Sequence, residues 1–281
     1  MVALFLEHEM IISCFSDEID PSLDIQIKVI KELRLKHLEI RTMDDVNVMD
    51  LSPKQIREIR QKTDSEGLSI TCVSSPVGKE YVSCSRESIL DKVKDACFRA
   101  HEFGCRYVRV FSFYPGDMNR TNALPFAVDH LRAMAEQAGK EGIVLVMEGG
   151  EKTIGGHGSF SRRILEEVGS PFLRCAFDPA AFVAEGDDPA KDCLPLLKDY
   201  IEYVHIKDAC YDDEERYVAG AGEGGIPVLL DSLRDRQDLI ISLEPHLSYA
   251  GRMRGFSGVE PFKRAHKALV NILDELGISY R

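Results

Sequence analysis

The sequence predicts an α/β chain in which eight parallel strands alternate with helices and close into a single (β/α)8 barrel. Two observations carry that expectation. Eight short apolar runs recur roughly every thirty residues, at 11–15, 37–42, 68–74, 107–113, 143–148, 173–178, 203–207 and 239–244. Most are nearly continuous in apolar residues rather than alternating, as suits parallel strands covered on the outside by helices. Between the runs, apolar residues fall at helical spacing.

The elements follow in order. Leu23, Ile27, Ile30 and Leu33 share one helix face, with Ser22 placed to cap it. Ser52-Pro53 is a strong start signal, because Ser caps and Pro at the first helical position forfeits no bond. Ile56 and Ile59 then line one face. Ile89, Val93, Ala96 and Cys97 repeat the pattern before the fourth strand, and Phe126, His130, Leu131 and Met134 before the fifth. Residues 161–168, 189–200 and 228–233 fill the next gaps, and 262–276 supplies the last helix. Gly67, Gly104 and Gly142 each precede a strand, where glycine takes the left-handed position that ends a helix. An open doubly wound sheet that bound nucleotides would carry a Gly-rich turn after an early strand. Here the first strand runs into Ser16-Asp17-Glu18-Ile19-Asp20-Pro21, and eight even units favour closure. A length of 281 residues suits this barrel, and with no linker or low-complexity tract residues 1–281 read as one domain.

Composition narrows the function. Hydrophobic residues make up 44% and charged residues 29%, a soluble globular balance. The net charge of -12 argues against a nucleic-acid surface, which needs clustered Lys and Arg, but leaves room for a local anion site. The eight cysteines form no CxxC pair and several lie in apolar runs, so free buried thiols are expected. The N-terminus has no basic region ahead of an apolar stretch, and no run approaches the roughly 20 apolar residues of a membrane span. A cytoplasmic protein without a membrane partner is the expectation.

In such a barrel, function sits at the C-terminal ends of the strands. The last four runs end in Val146-Met147-Glu148, Phe177-Asp178-Pro179, His205-Ile206-Lys207-Asp208 and Leu243-Glu244-Pro245-His246. Glu148, Asp178, His205 and Glu244 would therefore converge at one height. Three carboxylates without a counter-charge repel, and a divalent cation removes the difficulty. Three carboxylates and one imidazole suit one Mn, Mg, Co or Zn ion, manganese being a natural choice, with no thiolate to select a softer metal.

With Glu, Asp, His and Glu in that order on strands five to eight, the chain resembles the xylose isomerase-like barrels, a family of sugar and sugar-phosphate isomerases and epimerases. The resemblance covers essentially the whole chain. It implies that Glu148 and Glu244 are an acid-base pair as well as metal ligands, acting on a sugar, sugar phosphate or related polyol through an enediolate. It also implies a small-molecule partner and an oligomer, often a dimer or tetramer. Two positions depart from the pattern: Ala181 stands where epimerases often place a His, and Lys207 and Asp208 stand near where they commonly have an Arg. The sugar's identity is thus open. A lyase or dehydratase on a keto-polyol begins with the same proton abstraction. A phosphodiesterase or endonuclease of this fold would call for more histidines than the eight present. A non-catalytic sugar-binding barrel completes the alternatives.

Secondary candidates for substrate binding are His157, Lys207 and His246. Lys207 faces either the substrate or Asp208. The stretch 220–227 is glycine-rich and reads as a turn into a helix in preference to a phosphate cradle. Glu39 and Arg41 end the second strand and either face the pocket or pair with each other. Phe15, Phe111, Phe113 and Phe256 are candidates for its walls.

Overall fold

Eight parallel strands follow one another around a curled sheet: β1 (Glu9–Cys14), β2 (His37–Ile40), β3 (Ser69–Ser74), β4 (Tyr107–Val110), β5 (Val144–Glu148), β6 (Leu173–Phe177), β7 (Ile201–Ile206) and β8 (Ile240–Leu243). The computed structural model describes residues 9–247 and 257–281, so Phe256 lies outside the described residues. Hydrogen-bonded neighbours run from β2 through β8 to β1. The two ends of the sheet meet where Phe15, just past β1, forms a parallel bridge with Glu39 of β2. Lower on the same seam, a short C-terminal strand, Ser279–Tyr280, pairs with Glu9 and Met10. The seam closes the (β/α)8 barrel and brings β2 beside β1.

Local chemistry sets the helices. Helix α1 (Leu23–Glu32) follows Ser22, whose side chain makes no capping bond; Asp20 Oδ1 instead accepts from the Ser22 N–H at 2.8 Å. Helix α2 (Pro53–Ser65) opens with a capping box in which Ser52 and Gln55 satisfy each other's N–H groups, and with Pro53 at its first position. Helices α3 (Arg86–Phe103), α4 (Arg120–Lys140) and α5 (Gly158–Val168) cover the middle strands. Gly104 ends α3 at φ 70°. The segment expected as one helix at 189–200 is broken into a π turn (Pro189–Cys193), a short helix (Leu194–Leu197) and a 3₁₀ turn (Lys198–Tyr200). Pro195 lacks the N–H that a continuous helix would use. A helix not expected, α6 (Pro179–Ala184), starts directly after β6.

Two buried layers build the barrel. The larger lies between sheet and helices, as with Ile12, Leu38, Val108, Leu145 and Phe262. A smaller one joins Cys72, Val146, Ala176, Tyr203 and Ile240. These come from β3, β5, β6, β7 and β8, so they touch across the barrel interior. Because side chains alternate along a strand, the same inward parity reaches Glu148, Asp178, His205, Lys207 and Glu244 one or two steps further along. The parity that packs the barrel floor thus aims the candidate ligands into its mouth.

Candidate metal centre

Glu148, Asp178, His205 and Glu244 are all buried, and each offers a ligand atom within 4.8 Å of the others. Backbone register sets their height: Glu148 pairs with Ala176, Ala176 with Tyr203, and Ser242 with His205. Asp178 serves two ends at once. Its Oδ1 accepts the Ala181 N–H at 3.2 Å and caps α6, which leaves Oδ2 for the barrel mouth.

The cluster is short of donors. His205 Nδ1 lies 3.3 Å from Glu148 Oε2 and 3.7 Å from Glu244 Oε2. Lys207 Nζ is 2.9 Å from Asp178 Oδ2 and 3.0 Å from Glu244 Oε2. Asp178 Oδ2, Glu244 Oε2 and both nitrogens of His205 are nevertheless without a hydrogen bond, although all are buried. Orphaned buried polar atoms of this kind are costly, and here the oxygens and one imidazole nitrogen point at a common centre. Around it Asp17, Glu18, Glu39, Glu148, Asp178 and Glu244 are buried against Arg41, Arg109 and Lys207, an excess of three negative charges before the histidines are counted. The donor set and the charge excess both fit a divalent cation.

The titration behaviour follows from this crowding. Burial alone would push Glu148 and Glu244 up. Arg109 and His205 override it at Glu148, and Lys207, His246, His205 and Arg41 at Glu244, so both stay below the usual carboxylate range. Asp178 goes the other way: burial outweighs Lys207, and the charges of Glu148 and Glu244 add to the rise. His205 is drawn down by burial but lifted to about 10 by Glu148 and Glu39.

Two arginines hold the glutamates. Arg109, buried on β4, donates to Glu148 Oε2 at 3.2 Å and to the Ser74 carbonyl at 3.3 Å, and lies 3.9 Å from Glu244 Oε1. Its guanidinium stacks on Phe15 and Phe111. Arg41 donates from Nε to Asp17 (2.8 Å), from Nη2 to Glu18 (2.9 Å) and from Nη1 to Glu244 Oε1 (3.0 Å). Glu18 Oε2 in turn accepts the His246 N–H and the Ser257 hydroxyl, which ties the β8 loop to the end of β1. Sequence patterns did not single out Arg109, Asp17 or Glu18 for the site. The available signal was a charged residue inside an apolar run at the same parity as Phe111.

The remaining candidates separate cleanly. Lys207 faces Asp178 and Glu244 rather than Asp208. His246 lines the cavity, with Nε2 3.0 Å from both Arg41 Nη1 and Glu18 Oε1. His157 does not line it; its ring sits between Asp187, at 2.9 Å, and Glu185, at 3.5 Å. Glu39 and Arg41 do not pair: Arg41 bonds Asp17, Glu18 and Glu244, and Glu39 turns toward His205. Phe111 lines the cavity, whereas Phe15 packs edge-on against His205 and Phe113 packs against His130. The glycine-rich loop leads into the helix Ile226–Ser232, and its cradle is already filled from within. The N–H groups of Gly220, Gly222 and Gly224 donate to the Asp208 carboxylate at 2.8–3.1 Å. Above the ligands opens a cavity of about 350 Å³. Phe111, Ala180, Ala181 and Ala184 give it an apolar side, and Lys79, Lys152 and Arg216 stand among its charged lining.

Fold and site define an α/β barrel with a metal-competent acidic cluster at the C-terminal ends of its strands. The chain belongs to the Xylose isomerase-like TIM barrel family, whose model matches residues 27–273. It is 26% identical over 183 residues to the 2-epi-5-epi-valiolone 7-phosphate 2-epimerase of Actinoplanes sp., a match covering 65% of this chain and 66% of that protein. Among solved structures it is similar to a D-tagatose 3-epimerase-like protein, with TM-score 0.76, 20% identity, and coverage of 95% of this chain and 98% of that one. It is also similar to the IOLI protein solved with a binding zinc atom, with TM-score 0.75, 16% identity, and coverage of 95% and 99%. No helix among the described residues is long and apolar enough to cross a membrane.

Proposed function

We propose that this chain is a divalent-metal-dependent isomerase or epimerase acting on a sugar, sugar phosphate or related polyol. Glu148, Asp178, His205 and Glu244 would hold the ion, one of Mn, Mg, Co or Zn, which when bound supplies Lewis acidity toward a substrate carbonyl. The observation that carries the reading is the convergence of two ionised glutamates, Glu148 and Glu244, on one buried centre below an open cavity. Arg109 and His205 keep Glu148 as a carboxylate, and Lys207 and Arg41 do so for Glu244.

Either glutamate can accept a proton from the carbon next to a carbonyl. The C–H electron pair then moves into the carbon–carbon bond, and an enediolate results. Return of the proton to the neighbouring carbon by the same glutamate, with the hydroxyl proton passing to the former carbonyl oxygen, gives isomerisation. Epimerisation needs delivery to the opposite face of the same carbon by the other glutamate, which must first take up a proton from solvent. Lys207 places an ammonium beside Asp178 and Glu244, where it meets the oxygen that gains charge. The similarity to a 2-epi-5-epi-valiolone 7-phosphate 2-epimerase supports a phosphorylated polyol.

The test is a panel of ketoses, aldoses and cyclic polyols in deuterated water, with metal content measured on the same sample. The best substrate gains solvent deuterium at one carbon, and Glu148→Gln and Glu244→Gln each lower that exchange by at least about 100-fold. Full activity in both variants rules the mechanism out. Release of water from the substrate makes the enzyme a dehydratase instead.

A further inference from the structure

We propose that Glu39 is a positioning residue that orients His205 toward the metal, an inference that rests on the metal reading above. Glu39 is wholly buried on β2, and Oε1 lies 3.7 Å from His205 Nε2, on the side of the ring opposite the ligand cluster. The imidazole thus has carboxylates on both flanks and a hydrogen bond on neither. One arrangement satisfies it: Nδ1 gives its lone pair to the ion, and Nε2–H closes on Glu39. A carboxylate behind a ligating imidazole fixes its tautomer and raises its basicity.

The surroundings are built to hold Glu39 there. The Tyr203 hydroxyl donates to Oε2 at 2.9 Å, and the Ser74 hydroxyl donates to Oε1. Tyr203 is fixed in turn by Thr71 at 2.9 Å, and Thr71 by Ser13 at 2.8 Å. These groups come from β1, β3 and β7, so the network spans the barrel beneath the cluster. Phe15 and Tyr203 meet the imidazole edge-on, with ring centres 5.1 and 5.6 Å away, and set its plane. Glu39 does not line the cavity above the cluster.

Cobalt(II) titration of the chelator-stripped full chain tests this by calorimetry and by the visible ligand-field spectrum. Glu39→Gln, which keeps the volume and one acceptor oxygen, weakens cobalt binding about 10- to 100-fold and shifts the absorption bands. Tyr203→Phe shifts both in the same direction by less, and carries the test if Glu39→Gln does not fold. In a His205→Ala background, Glu39→Gln changes the affinity no further, because its route to the ion is gone. Wild-type affinity and bands in a folded Glu39→Gln overturn the inference while leaving the metal reading intact. So does an equal loss with and without His205. If the wild type binds no cobalt, or Asp178→Asn binds it as well as the wild type does, the centre itself is overturned and Glu39's role with it.

Discussion

Loading the centre should expel a proton, and the structure sets the size of the effect. Without an ion, His205 is held as an imidazolium: burial opposes the charge, but Glu148 and Glu39 raise the group to about 10. A ligating Nδ1 must be unprotonated. At pH 7 the bound proton is therefore held against about three decades of proton activity, worth about 4 kcal/mol at roughly 1.4 kcal/mol per decade. The ion must overcome that amount at pH 7 and almost none of it near pH 10. Apparent affinity for Mn²⁺ should then rise about tenfold per pH unit from 7 to 9. Calorimetry at pH 7 in buffers of different ionisation enthalpy counts the protons directly, and one proton per ion is the expected slope. Asp178, pushed up by burial and by Glu148 and Glu244, adds to the count wherever it too is protonated. Binding that releases no proton and does not vary with pH would refute the assignment of His205 as both imidazolium and ligand.

The same imidazolium makes the metal-free fold pH-dependent: its contribution is complete below about pH 6.5 and fades as pH rises toward about 10, so the melting temperature falls over that window. A flat profile in the metal-free protein contradicts this. Lys207→Met strips the ammonium from Asp178 and Glu244 and should cost the metal-free protein about 3–5 kcal/mol in denaturant unfolding. Saturating Mn²⁺ should recover much of that, and an identical loss with and without the ion would show that Lys207 and the ion do not share those oxygens. Gly222→Ala places a methyl 2.5 Å from Asp208 Oδ1 and 2.6 Å from the Ala209 carbonyl. The loop must shift and surrender bonds to Asp208, at a cost of about 1–3 kcal/mol read as a lower melting temperature. An unchanged melting temperature would show that the cradle is slack.

How far the site could be read in advance depended on where each partner lies. The four candidate ligands were legible as a cluster because each stands at the end of its own strand, and strand ends of a barrel share one rim whatever the loops do. The barrel was legible for a similar reason: strand runs, helix spacing and helix-ending glycines are all local. The residues that tune the ligands are not local. Tyr203 and Glu39 are 164 residues apart, and Arg41 and Glu244 are 203 apart. Nothing in β2 alone says that its carboxylate will stand behind a histidine of β7. That pairing exists only once the barrel closes at the Phe15–Glu39 bridge and sets β2 beside β1. Parity supplies the missing half of the argument. Counting back by twos from Phe111 and from Arg41 marks Arg109 and Glu39 as inward-facing charges in otherwise apolar strands. An inward charge in a closed barrel must find a partner there, and Arg109 finds Glu148 while Glu39 faces His205. The charges that read as exceptions to the strand pattern are therefore the ones that contact the candidate ligands.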